Sequence, residues 1–117
     1  MDLKKRTKAF ALNIIKLVSS LPNTKPANVI SHQILRSGTS VGANYRAVTR
    51  ANSDKDFIHK LKICEEECDE TTYWLELIEE SGLIINEVTN SLKKESDELT
   101  SFFVASINTK RTNMNRT

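Results

Sequence analysis

A chain of 117 residues with 38% hydrophobic and 27% charged residues is long enough for one hydrophobic core and too short for two. Three glycines, two prolines and a net charge of +2 suit a helical domain and exclude a disordered polyelectrolyte. Two cysteines exclude a disulfide framework, and no run reaches the roughly 18 apolar residues that a membrane-spanning helix needs.

The first helix is expected over 2–20, with Asp2 as N-cap and Leu3, Phe10, Ile14, Leu17, Val18 and Leu21 on one stripe. Its Lys-Lys-Arg start followed by Ala9 to Val18 looks like a secretory leader, but Asn13 and Lys16 break the apolar run and no small-x-small site follows, so a cytoplasmic location is the expectation. Pro22 and Pro26 bracket the longest loop, because neither can continue a helix. The second helix is expected to start at Asn28 or Ser31 and to end near 51, with Ile30, Ile34, Ser37, Val41, Tyr45 and Val48 inward. Gly38 and Gly42 each cost about 1 kcal/mol against alanine inside it, which implies a neighbouring backbone close by. Arg36, Ala43, Arg46 and Arg50 fall on the opposite side as an outward row.

Ser53 caps a third helix over 53–81, Asp54 and Asp56 complement its positive end, and Gly82 fits the left-handed position that ends it. Its seam is Phe57, Leu61, Cys64, Cys68, Thr71, Leu75 and Ile78, in alternating steps of four and three. Cys64 and Cys68 lie one turn apart with nearly parallel Cα–Cβ bonds, so they read as reduced core residues. Ile63 and Trp74 stand well off this seam, and one helix cannot bury both faces in its own bundle. The surplus points to self-association; the alternative is that Trp74 lies along the bundle boundary under long side chains. A fourth helix over 86–108 uses Val88, Leu92, Leu99, Phe102, Phe103 and Ile107, which gives one domain over 1–109 and a mobile basic tail over 110–117.

Charge is split along the chain. Residues 1–62 carry twelve Lys/Arg against three Asp/Glu, and residues 63–109 carry two against twelve. Either the basic half binds a polyanion or the two halves neutralise each other within the fold. The nucleic-acid candidates are Lys4, Lys5, Arg6, Lys8, Lys16, Arg36, Arg46 and Arg50. With no base-reading motif beside them, contact would be to phosphate and weakened by salt; pairing of Arg36, Arg46 and Arg50 with third-helix acids of the same or a neighbouring subunit is the competing reading.

The chain offers little for catalysis. Gly38-Thr39-Ser40-Val41-Gly42 matches G-x-S-x-G, but that elbow needs a strand-to-helix turn and a delivered His, whereas Ser40 lies in a helical period and His32 and His59 are the two histidines. No Glu-x-x-His pair exists, the Glu65-to-Glu70 run wraps its helix, and His59 with Cys64 lacks further ligands. No glycine-rich phosphate cradle is present. No catalytic residue, metal, cofactor or small-molecule substrate is expected, and the chain reads as a non-enzyme.

Arg36, Ser37, Gly38, Ser40, Gly42, Ala43 and Asn44, followed by Ser53, Asp56, Phe57, Ile58, Leu61, Glu67, Glu70, Thr71, Trp74 and Leu75, resemble the small bacterial family encoded in intervening sequences of 23S rRNA genes, also labelled S23 ribosomal protein. The resemblance implies an all-α, antiparallel up-down-up-down four-helix bundle that forms a homo-oligomer, in relatives a pentamer, with a nucleic-acid role and no known catalysis. On that basis Ile63, Glu67, Glu70 and Trp74 are oligomer-interface candidates. The chain is also similar to accessory proteins of diversity-generating retroelements, which implies a reverse transcriptase as partner; a protein-binding scaffold is the alternative role. It departs from the resemblance at Tyr45-Arg46-Ala47, where many members carry an Ala-Glu-Gly-like segment.

Overall fold

A computed structural model describes residues 2–84 and 87–116. Four helices follow one another, α1 (Leu3–Ser19), α2 (Lys25–Val48), α3 (Asp54–Glu80) and α4 (Glu87–Asn115), in an up-down-up-down bundle measuring 54 × 22 × 20 Å. Each helix packs on two neighbours: α2 and α4 both flank α3, and both flank α1, with the α1–α4 seam the least extensive.

Local chemistry sets the helix ends. Asp2 Oδ1 accepts from Lys5 N at 3.2 Å and starts α1. Thr24 Oγ1 accepts from Ala27 N at 3.3 Å, so α2 begins at Lys25, three residues before Asn28. Pro26 lies in its first turn, where a missing N–H costs nothing because that donor has no intrahelical partner; the proline therefore opens the helix instead of closing the loop. Ser53 Oγ accepts from Asp56 N at 3.1 Å while Asp56 Oδ2 accepts from Asn52 N at 3.0 Å, and Gly82 takes φ +74° after α3. The expected start of the fourth helix at 86 lies outside the described residues.

Two expectations are corrected in α4. The helix does not stop at 108 but runs to Asn115, through most of the segment expected as a mobile tail. No Gly or Pro interrupts it, and Lys110 ties it down: its Nζ is 3.4 Å from Asp54 Oδ1 and 4.8 Å from the centre of the Phe57 ring. Val88 is exposed, because the buried seam is Thr89, Leu92, Ser96, Leu99, Phe103 and Ile107. Two hydroxyl residues hold places that an apolar stripe would not reveal.

The core joins Phe10, Ile14 and Leu17 to Ile34, Val41, Leu61, Leu75, Ile78, Leu99 and Phe103, with both cysteines inside it. Hydroxyls thread between these side chains. Thr71 Oγ1 lies 2.9 Å from Ser37 Oγ and 2.8 Å from Glu67 O, and Ser96 Oγ donates to Cys68 O at 3.0 Å while lying 2.6 Å from Thr72 Oγ1. The glycines sit where α1 meets α2, as their cost implied. A Cβ on Gly38 would stand 3.0 Å from Ile14 Cγ1, and one on Gly42 would stand 3.2 Å from Thr7 Oγ1.

Candidate nucleic-acid interface

The eight cations picked out in the sequence fall into three groups. Lys4, Lys5 and Lys8 project from α1 and Arg46 from α2 onto one groove of about 430 Å³, whose floor is Ala11, Thr39, Gly42 and Ala43. Small residues at 39, 42 and 43 recur on the α2 face that carries Arg46, and this spacing is the sequence signal that could have located the groove. All four cations are exposed, and none forms an ion pair among the described residues.

Arg6 and Arg36 form the second group, and their guanidinium groups are committed within the fold. Arg6 clasps Glu95 bidentately, Nε to Oε2 at 2.7 Å and Nη2 to Oε1 at 2.6 Å, and also reaches Glu98 Oε1 at 2.9 Å. The Phe102 ring lies beneath it at 5.2 Å. Arg36 donates to Glu67 Oε2 at 3.1 Å and pairs with Glu70, so both arginines serve as inter-helix ties. Arg36 thus takes the third-helix pairing that competed with phosphate contact, whereas Arg6 pairs with acids of α4, a partner the sequence reading did not name. Lys16 and Arg50, the third group, are exposed and lie outside the groove, Lys16 in the last turn of α1 and Arg50 just beyond α2.

The oligomer-interface candidates meet Arg36 in the same network. Trp74 Nε1 donates to Glu70 Oε2 at 3.0 Å, and that N–H, followed by Arg36, holds the Glu70 carboxyl below its ordinary range. The indole is half-buried against the core of its own bundle, which is the boundary position, and the largely exposed ring is its neighbour Tyr73, packed edge-on at 5.1 Å. Ile63 is half-buried on the same helix, and Glu67 is spent on Arg36.

A family model described as 23S rRNA-intervening sequence protein matches residues 1–105. The chain belongs to that family. Among solved structures, it is similar to the crystal structure of a protein with unknown function from the S23 ribosomal protein family of Bacteroides thetaiotaomicron VPI-5482, with 40% identity, a TM-score of 0.84, and coverage of 91% of this chain and 98% of that one. A comparison with curated proteins found no match.

In this member of the family the remaining motifs are parts of helices. Ser40 sits in the middle of α2 and donates to Arg36 O at 2.7 Å, with none of the strand-to-helix strain that a nucleophile elbow requires. Cys64 and Cys68 are free and fully buried; burial pushes the Cys64 thiol up to about 12 and raises Cys68 as well, which suppresses the reactive thiolate. No three His, Cys, Asp or Glu side chains gather in metal-binding geometry among the described residues. Among those residues, no helix is long and apolar enough to cross a membrane.

Proposed function

We propose that this protein is a non-catalytic, cytoplasmic accessory protein that binds RNA or DNA through the α1/α2 face and works as a homo-oligomer, the five-membered ring of the family resemblance. The observation that carries the reading is the division of the basic residues. Arg6 and Arg36 are consumed by internal acids, whereas Lys4, Lys5, Lys8 and Arg46 stand together without any such partner among the described residues. Cations left uncompensated in one groove are what a phosphate backbone requires, and their lack of base-reading geometry suits binding by charge and shape. A ring would repeat the groove on every subunit and multiply its avidity.

Self-association is supported by apolar side chains left at the surface, among them Leu12, Ile15, Leu35 and Tyr73. The same side chains favour a second reading, a scaffold whose partner is another protein, such as a reverse transcriptase in a ribonucleoprotein. Filter retention of labelled RNA and DNA at low salt separates the two: retention that disappears at high salt is expected, and no retention of either polymer would leave the scaffold. Light scattering should give a mass several times that of one chain.

A further inference from the structure

We infer that the α1/α2 groove accepts one unpaired strand of nucleic acid, holding successive phosphates between the lysine wall of α1 and Arg46, and excludes a duplex. This rests on the nucleic-acid reading above and narrows it to a substrate class. The cations stand on both walls, with Lys4, Lys5 and Lys8 on α1 and Arg46 on α2, above a floor of Ala11, Gly42 and Ala43. An anion that satisfies both walls must descend between them. Packed helix axes lie only about 8–10 Å apart, so the depression between two helices admits a single phosphodiester chain. A duplex holds stacked bases and a second backbone rigidly behind any strand that it presents, so it would ride on the rims.

Three further features fit a strand. Lys4 and Lys8 are one turn apart, about 6 Å along the helix, so the wall is short and meets only a few phosphates of one backbone. Lys4 and Lys5 occupy the first turn of α1 and place two positive charges at the positive end of the helix dipole, where the Asp2 carboxylate is taken up capping the Lys5 backbone N–H and forms no ion pair with either lysine among the described residues. A phosphate in the groove would offset this unfavourable placement of charge. Beyond Lys4 the surface continues into an open hollow bordered by Asp2, Leu3, Thr49 and the half-buried Tyr45, whose ring packs on Phe103, and an unpaired base leaving the groove has room to turn there. A base still paired in a duplex could not turn into it.

The test is fluorescence anisotropy of the full chain with an oligo-dT and an oligo-U of about twelve nucleotides, against a blunt duplex of the same length, over a series of salt concentrations. Four phosphates neutralised in a single strand predict a slope of log K against log salt near −2.8. The single strands should bind at least tenfold more tightly than the duplex. Lys8→Gln combined with Arg46→Gln should weaken them more than tenfold and bring the slope to about −1.4, with helix content unchanged by circular dichroism. Duplex binding as tight as single-strand binding overturns the inference while leaving the nucleic-acid reading intact. Single-strand preference that survives in the double variant overturns the groove as its location. No binding of any probe at low salt overturns both the inference and the reading on which it rests.

Discussion

Gly38 costs α2 about 1 kcal/mol of helix propensity relative to alanine. Yet a Cβ there would stand 3.0 Å from both Cγ1 and Cγ2 of Ile14, a fully buried, β-branched side chain with little freedom to withdraw. The steric term should exceed the propensity gain, so Gly38→Ala is expected to lower stability by about 1 kcal/mol or more in denaturant unfolding, where an exposed helical Gly→Ala would raise it. Glu70 offers a second residue-scale test. Its folded-state pKa lies below the ordinary value near 4.5, so the ionised carboxylate stabilises the fold above 4.5, and this contribution is lost as pH falls through the lowered value. Because the chain has a single tryptophan and its indole N–H is on Glu70, the emission of Trp74 should change with a midpoint below 4.5, and Glu70→Gln should remove that transition. A midpoint at or above 4.5 would mean that the network does not hold the carboxylate. The sequence made the glycines legible through their cost, but it did not show that Trp74 and Arg36 share an acid. That pairing depends on the rotation of α2 against α3, which no one-dimensional period encodes.

At the scale of the elements, the four periodic segments were readable because long apolar stripes at helical spacing leave few alternatives. The misreadings have local causes. Thr7, Thr89 and Ser96 are buried in seams that a search for apolar residues passes over, and Thr89 Oγ1 has no hydrogen-bond partner among the described residues. Pro26 read as a loop marker although the first turn of a helix tolerates it. Residues 110–115 have no apolar period that would carry α4 past 108 in the sequence; what holds them is Lys110 reaching back to the first turn of α3. Lys110→Ala should therefore cost about 0.5–1.5 kcal/mol in denaturant unfolding, from a cation–π contact and a partly exposed ion pair. Removing residues 110–117 should cost at least as much, and an unchanged midpoint in both variants would restore the mobile tail. Neither change should alter affinity for nucleic acid.

At the scale of the whole molecule, the division of charge along the chain becomes a division across the bundle, with α1 and α2 basic, α3 acidic and α4 balanced. Two readings of that pattern are open in the sequence, polyanion binding and internal neutralisation; Arg6 and Arg36 take the second, and the first is proposed for the groove cations. Arg6 and Arg36 neutralise acids of α4 and α3, and the groove cations are left over. Net charge could not separate them, since pairing depends on which helix faces meet. The most direct measurement is RNA affinity of the variant that reverses Lys8 and Arg46 to glutamate, on protein whose helix content and unfolding midpoint match the parent. The account predicts that affinity falls by about a hundredfold or more, since the change replaces two phosphate contacts with repulsion. A variant that binds RNA as the parent does would contradict it.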